Sequence, residues 1–225
     1  MKRFITSASA VITAFSLCSG ILCTPELLEA RALKIGEGFQ YEITEDNEIT
    51  ILGFSNTREP VEEIPSEIEG LPVTEIGKNA FKYKETLKQV TIPDSVTTIG
   101  DFAFDTSGIT SIVIPEGVTA IGEWAFSGCD NLTSAVLPKS LVYMGDSVFS
   151  GNPNLWNVAL SEGIMELPNE AFRDCDSLTE ILIPRSVKRI GDYAFDACTG
   201  LTSLTLPEGL EELNENLMDN PTTDA

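Results

Sequence analysis

One stretch of the chain decides its fold: IPEGVTAIGEWAFSGCDNL, residues 114–132. It contains a motif that recurs along the chain, a small residue followed by phenylalanine. The marked residues are Phe81, Phe104, Phe126, Phe149, Phe172 and Phe195, which lie 23, 22, 23, 23 and 23 residues apart. A degraded seventh copy follows at Leu217-Met218. The chain is therefore built mainly from one repeated unit.

Each unit also carries the spacing L-x-x-L-x-L, as at Leu132, Ala135 and Leu137. This alternation predicts a short strand with one inward face. A fixed period of 20 to 29 residues with this spacing is typical of a leucine-rich-repeat solenoid. We expect a right-handed superhelix with a parallel β-sheet on one face and short helical turns or loops on the other. We number the units one to six from their first residues, Leu87, Ile109, Leu132, Leu155, Leu178 and Leu201.

The second half of each unit begins after the predicted strand. Proline ends the strand at Pro93, Pro115, Pro138, Pro184 and Pro207, because it cannot continue a hydrogen-bonded ladder. Ser161 replaces it in unit four. A Val-x-x-Ile-Gly pattern follows and predicts a second small strand. Its glycine, such as Gly122, suits a turn with positive φ, whereas Pro168 in unit four cannot adopt that angle.

An acidic or amide residue comes shortly before the alanine-phenylalanine pair in most units: Asp101, Glu123, Asp146, Asn169 and Asp192. A side-chain oxygen at this point predicts the N-cap of a short helical turn. The alternative is a carboxylate ladder that binds calcium, although no D-x-D-x-D loop is present. The phenylalanines that follow are predicted to fill the interior of the whole solenoid.

Three cysteines occupy one repeat position, three residues after the phenylalanine: Cys129, Cys175 and Cys198. Unit three has Asn152 there instead. An odd number at one position is not a disulfide framework, and cysteine is a small, readily buried residue. We therefore expect interior positions, with a Cys175–Cys198 bridge as the alternative.

The two ends of the chain differ from the repeats. Residues 1–32 combine Lys2 and Arg3, an apolar run and a small-x-small site, which predicts a secretory signal peptide. A membrane anchor is the alternative. Residues 33–60 alternate around a polar turn and predict a β-hairpin cap. The repeats are predicted to cover 61–218, and 219–225 form a polar tail.

Composition narrows the classes of function. The net charge of −21 argues against nucleic acid, whose binding needs cationic contacts to phosphate, and against anionic lipid. The chain has no histidine, which removes the commonest general base and metal ligand. We predict no catalysis, no metal and no cofactor, and no membrane contact apart from the signal peptide.

The unit I-P-x-x-V-x-x-I-G-x-x-A-F-x-x-C-x-x-L closely resembles the BspA-like, or treponemal-type, bacterial leucine-rich repeat, and residues 114–132 match every position. The resemblance covers residues 61 to about 218. It implies a secreted or cell-surface protein that binds other proteins, host matrix or cell surfaces. No catalytic residues come with the family.

The outward residues of the predicted strands are the first candidates for binding. They form a small, neutral and mildly apolar strip in which Glu180 is the only charge. The strip comprises Gln89, Thr91, Ser111, Val113, Ser134, Val136, Asn157, Ala159, Glu180, Leu182, Ser203 and Thr205. One hypothesis is that this strip contacts a protein or glycan partner. Alternatively, small residues simply suit a crowded parallel sheet.

The two tryptophans are the second candidates. Trp124 occupies a repeat position shared with Phe102 and Tyr193, whereas Trp156 stands where other units have threonine or lysine. An exposed tryptophan can anchor an interface or stack on a sugar, and packing against the neighbouring unit is the alternative. The function predicted is adhesion or ligand binding outside the cell. A scaffolding module of an extracellular assembly and a carbohydrate-binding module stay open, and no oligomeric state is indicated.

Overall fold

The structure is a computed structural model that describes residues 33–36, 38–54, 63–213 and 216–217. These residues form strands and turns, with no helix among them. Within that part of the chain, accordingly, no helix is long and apolar enough to span a bilayer. The predicted signal peptide (1–32) and polar tail (219–225) lie outside the described residues, as do residues 55–62.

Five strands precede unit one: β1 (Lys34–Gly36), β2 (Phe39–Ile43), β3 (Ile49–Phe54), β4 (Glu67–Ile68) and β5 (Leu71–Ile76). β1, β2 and β3 pair antiparallel, and β4 forms a hairpin with β5. β3 pairs in parallel with β5 and so joins the hairpin to the repeats. The ring of Phe54 lies 4.8 Å from that of Phe81 and 5.6 Å from that of Phe39. The hairpin therefore covers the apolar end of the repeat array.

The L-x-x-L-x-L segments form the first set of repeat strands, which we call the front strands. They are β7 (Ser111–Val113), β9 (Ser134–Val136), β11 (Asn157–Ala159), β13 (Glu180–Leu182) and β15 (Ser203–Thr205). Equivalent residues of neighbouring units pair in parallel, as Ser111 does with Ser134. In unit one this position contributes a single bridge, between Thr91 and Glu63.

The V-x-x-I-G segments form the second set, the flank strands, which confirms the expected second small strand. They are β6 (Thr98–Ile99), β8 (Ala120–Ile121), β10 (Tyr143–Met144), β12 (Glu166–Leu167), β14 (Arg189–Ile190) and β16 (Glu212–Leu213). β6, β8 and β10 extend the sheet of the N-terminal hairpin, whereas β12, β14 and β16 form a sheet of their own. The solenoid fold predicted from the period is confirmed.

The core is a column of phenylalanine rings between the two sets of strands. The six repeat phenylalanines are fully buried, and successive ring centroids lie 5.1, 5.2, 5.4, 5.7 and 5.7 Å apart. Strand residues alternate as predicted: Ile112 is 2% exposed and its neighbour Val113 is 65% exposed. Such continuous apolar burial is the main source of stability in a fold with so few long strands.

The predicted role of the repeat glycines is wrong. Positive φ occurs two residues later, before the alanine, at Asn79, Phe102, Trp124, Ser147, Glu170 and Tyr193, with φ between 54° and 60°. The glycines are needed for another reason. A Cβ added to Gly145 would lie 2.4 Å from the backbone nitrogen of Glu123, and one added to Gly122 would lie 2.5 Å from that of Asp101. The glycine thus lets consecutive units approach each other.

The predicted N-caps are also wrong, because no helix follows them in the described chain. Their oxygens accept hydrogen bonds from the backbone of the next unit instead. Asp146 Oδ1 accepts from Asn169 N at 3.1 Å, and Asn169 Oδ1 accepts from Asp192 N at 2.9 Å. These side chains connect units along the solenoid and satisfy backbone donors that a turn leaves open.

The cysteines lie in the interior, as predicted, and all three are free and buried. Each thiol donates to the carbonyl of a phenylalanine in the preceding unit, for example Cys175 to Phe149 at 3.3 Å. Asn152 replaces that weak donor with an amide that bonds to the preceding unit and to its own. It accepts from Cys129 N at 2.8 Å and donates to the carbonyls of Phe126 and Phe149 at 2.9 and 2.7 Å.

Both sets of strands are interrupted at unit four. β10 and β12 do not pair, and neither do β11 and β13. The flank interruption has a direct cause. Gly145 N donates to Ile121 O at 2.9 Å and Gly191 N to Leu167 O at 2.8 Å, but Pro168 at the equivalent position has no N–H to donate. The wider 5.7 Å ring spacing occurs on both sides of Phe172, in this same unit.

Candidate binding surfaces

The predicted strip lies on one face of the solenoid, which we call the front face. All of its twelve residues are exposed except Ser134, which is half-buried. Parallel pairing brings Asn157 beside Ser134 and Ala159 beside Val136. It also brings Glu180 beside Ser203 and Leu182 beside Thr205. The front face is therefore continuous in space from the first unit to the last, although the hydrogen bonding is interrupted between β11 and β13.

Trp156 borders this face at the entrance to β11, and its side chain is 58% exposed. Its position carries threonine in units two, three, five and six. Those threonines connect the units, as Thr133 Oγ1 does by donating to Thr110 O at 2.9 Å. Trp156 keeps the backbone bond to Thr133 O, at 3.2 Å, but has no hydroxyl. An exposed indole thus replaces a structural hydrogen bond.

Trp124 does not lie on the front face, because it is among the turns that follow the flank strands. Its ring stacks on that of Phe102, with centroids 6.2 Å apart and planes 7° from parallel. Lysine side chains also approach the Phe102 ring, and Lys82 Nζ lies 4.3 Å from its centroid. This cation–π and stacking cluster stabilises the turns of the first units. The two tryptophans therefore belong to separate surfaces.

Two shallow grooves mark these surfaces. The first, of about 600 Å³, lies on the front face of units one to three around Val113 and Val136. Asp94 and Glu116 stand at its edge. The second, of about 370 Å³, lies among the turns between Trp124 and Tyr193. Its remaining lining residues are Glu123, Asp146, Ser147, Asn169, Glu170 and Asp192. The front groove is mildly apolar, whereas the turn groove is acidic.

The carboxylates of the two surfaces differ in their hydrogen-bond and ion-pair partners. In the turns, Glu170 accepts from Ser147 Oγ at 3.1 Å and pairs with Arg173 at 3.5 Å. On the front face, the Glu180 carboxylate makes no hydrogen bond or ion pair within the described part of the chain. Glu170 is therefore engaged in the fold, whereas Glu180 is free to interact with another molecule.

The three cysteine thiols of the repeats are engaged in the fold. Burial raises the pKa of the Cys129 and Cys198 thiols to about 11 and also raises the pKa of Cys175. The thiols therefore stay protonated near neutral pH, which makes them poor nucleophiles. Among the residues that the structure describes, no cluster of three acidic, cysteine or histidine side chains could hold a metal ion.

One exposed apolar patch escaped the sequence analysis. Val142, Tyr143 and Met165 lie on the flank strands or directly before them, and each is more than half exposed. The signal was present, because Val142 and Met165 take a position that holds threonine in earlier units, as at Thr97 and Thr119. The front groove was also missed, because a groove depends on how neighbouring strands curve rather than on residue type.

The repeats identify the family. The BspA type leucine rich repeat region, in six copies, matches residues 74–184 and 165–223. These segments cover well over half of the chain, so the chain belongs to the family of BspA type leucine-rich repeat proteins. No curated protein matches the chain.

Solved structures of bacterial repeat proteins are similar to it. A leucine rich repeat protein from T. pallidum is 26% identical, with a TM-score of 0.62, over 76% of this chain and 92% of that one. The pneumococcal vaccine antigen PcpA is 26% identical, with a TM-score of 0.67, over 80% of this chain and 51% of its own. A leucine-rich repeat protein from Bacteroides ovatus is 27% identical, with a TM-score of 0.57, over 80% and 55%. The match therefore spans nearly the whole of the first of these structures and about half of the other two.

Proposed function

We propose that this protein is a non-catalytic binding protein outside the cell, and that its front face holds a partner protein of the cell surface or matrix. The observation that carries the proposal is the continuous exposed strip, in which apolar Val113, Val136 and Leu182 lie outward. Exposed apolar patches on soluble proteins mark interaction sites.

The distribution of charge supports the same face. The chain has a net charge of −21, yet the front strip carries one charged residue, Glu180. Interface centres are depleted in charge relative to the rest of a protein surface. The similarity to the antigen PcpA is consistent with a location at the bacterial surface.

A carbohydrate ligand is the second candidate, and a specific observation favours it. Trp124 is partly exposed at one end of the turn groove and is held flat by stacking on Phe102. A fixed indole face suits stacking on a sugar ring. A role as a scaffolding module would use the same surfaces for a permanent partner.

The test compares two double variants with matched chemistry. Val113→Asp/Val136→Asp alters the front face, and Val142→Asp/Met165→Asp makes the same change on the flank, where the side chains are also exposed. Binding of both variants and of the unaltered chain to immobilised fibronectin, laminin, collagen and mucin is measured by surface plasmon resonance.

We expect the front variant alone to lose affinity, by at least tenfold, for whichever ligand the unaltered chain holds. Circular dichroism should show both variants folded, because neither changes a buried residue. Equal affinity of the two variants would contradict the proposal, as would loss in the flank variant alone. Binding to mucin that survives both changes would direct attention to Trp124 and the turn groove.

A further inference from the structure

The junction between β11 and β13 differs from the other junctions of the front face. Where β9 meets β11, Leu137 N donates to Ala159 O at 3.0 Å, and Asn157 N donates to Thr133 O at 3.3 Å. Ile114 N likewise donates to Val136 O at 3.0 Å where β7 meets β9, and Thr202 N donates to Thr179 O at 3.1 Å where β13 meets β15. We call the unpaired junction of β11 and β13 the front break.

At the front break the equivalent groups have no partner in the described chain. They are the N–H groups of Leu160 and Thr179 and the carbonyls of Leu182 and Trp156. Backbone polar groups require hydrogen-bond partners. These groups are therefore not engaged within the described chain and are free to hydrogen-bond to a ligand.

The side chains around the front break are among the most exposed of the face. Leu182 is 76% exposed, more than any other large apolar side chain that the structure describes, and Trp156 stands on the other side of the break. Glu180 lies at the start of β13, on the same strand as Leu182, and its carboxylate is unpaired within the described residues. Tryptophan beside apolar residues is the composition of interface positions that dominate binding energy.

The dimensions of this group fit a short extended segment. Consecutive strand residues are about 3.3 Å apart and neighbouring strands about 4.8 Å apart. Trp156 and Leu182 are three positions apart along the strand direction and one strand apart across it. Their Cα atoms thus lie about 11 Å from each other by this spacing, which is the length of three or four extended residues.

We propose that the front break binds an extended segment of a partner protein that carries a lysine or arginine beside an aliphatic or aromatic residue. The apolar residue packs between Trp156 and Leu182, and the cation pairs with Glu180. The inference rests on the proposed function and names the position on the front face and the chemistry of the partner.

Charge complementarity selects this partner over others. Glu180 has no cation nearby to satisfy it within the described residues, and the whole chain is strongly acidic, so a cationic segment is attracted from a distance. An acidic segment would instead face an unpaired carboxylate, at a cost in affinity. A neutral sugar would leave the carboxylate without its counter-charge.

The test uses phage-displayed random dodecapeptides as the probe. Selection is carried out on the full chain, with removal of phages that bind the support without the protein. The recovered peptides are synthesised, and their affinities are measured against the unaltered chain, Trp156→Ala, Glu180→Lys and a charge-matched control, Glu208→Lys. Glu208 is exposed on a turn beyond the strip.

We expect the recovered sequences to be enriched in lysine or arginine next to an apolar residue. Trp156→Ala should weaken them by about 30-fold, as truncation of an interface anchor does. Glu180→Lys should weaken them by at least tenfold, and Glu208→Lys by less than twofold. A peptide whose cation is changed to glutamate should bind Glu180→Lys better than it binds the unaltered chain.

Three results would overturn the inference. They are a selection that recovers no peptide, recovered sequences without the basic-apolar pair, and equal effects of Glu180→Lys and Glu208→Lys. If peptides respond to Val113→Asp/Val136→Asp but not to the changes at the front break, the front face still binds and the proposed position is wrong. If they respond to neither, the front face itself is not the binding surface.

Discussion

Units three and four have nearly the same length and the same core, yet they are held to their neighbours in different ways. Unit three joins unit two through front strands, flank strands and turns. Unit four keeps the turn bonds on both sides, such as Phe149 N to Ala171 O and Phe172 N to Ala194 O, but loses the flank pairing to unit three and the front pairing to unit five. The core column passes through unit four without a gap.

This contrast shows that the interior and the hydrogen-bonded surface of the solenoid are specified separately. Stacked apolar side chains tolerate a change in spacing from 5.2 to 5.7 Å. A ladder of two- and three-residue strands does not, because a single missing donor removes most of the pairing. Departures from the repeat therefore accumulate on the surface of one unit without unfolding it.

The largest expected effect comes from substitutions in the phenylalanine column, which both units share. Phe126→Ala should lower the free energy of unfolding by about 3–5 kcal/mol, since it opens a cavity in a close-packed column. Phe172→Ala should cost about 1 kcal/mol less, because its neighbouring rings are 5.7 Å away on both sides and make weaker dispersion contacts. Urea unfolding followed by fluorescence measures both. A larger loss for Phe172→Ala would mean that ring spacing does not report packing.

A smaller effect compares one position in the two units. Asn152→Ala should cost about 3 kcal/mol, because it leaves buried backbone groups of Phe126 and Cys129 without partners. Cys175→Ala, at the same position in unit four, should cost about 1 kcal/mol, since it removes a weak S–H donor and little volume. Asn152→Cys is the control and should recover part of the loss. Thermal unfolding checks the order, and equal costs would contradict it.

The substitution with the smallest expected effect on stability would restore strand pairing to unit four. Pro168→Gly supplies the missing N–H and should change the free energy of unfolding by less than about 1 kcal/mol, because the new hydrogen bond offsets the added freedom of the unfolded chain. The informative measurement is hydrogen exchange by NMR. The new N–H at position 168 should be protected at least tenfold.

The matching control for that exchange experiment is Pro184→Gly, at a strand-ending proline of unit five. It should destabilise slightly without creating protection, since Ser161 N at the equivalent position of unit four donates to no carbonyl in the described structure. If position 168 exchanges as fast as an exposed amide, then the wider spacing, rather than the missing donor, separates β10 from β12.

The predictions that held were those that depend on the period. The alternation of Ile112 and Val113, the column of phenylalanines and the buried cysteines all follow from placing equivalent residues above one another. The predictions that failed concern contacts between units. The glycine position requires a close approach to the preceding backbone, not a positive φ, and Asp146 bonds across to Asn169 rather than capping its own turn.

The candidate surface was predicted in outline. The strip, Trp156 and the departures at Ser161 and Pro168 are visible as residues that do not follow the repeat. That Trp124 stacks on Phe102 and that Glu180 is unpaired were not visible, because both depend on which side chains become neighbours. The front break has no residue of its own in the sequence, because it is a property of two strands.

The sequence by itself determined the solenoid, since a 23-residue period with alternating apolar residues has to stack in order to bury them. It also determined which residues lie inside, because burial follows position in the unit. Tertiary structure alone decided how each unit meets the next. Pairing needs a donor, an acceptor and a backbone close enough to join them. At unit four Pro168 removes a donor on the flank, whereas the front break depends on how two strands meet and not on a residue of either unit.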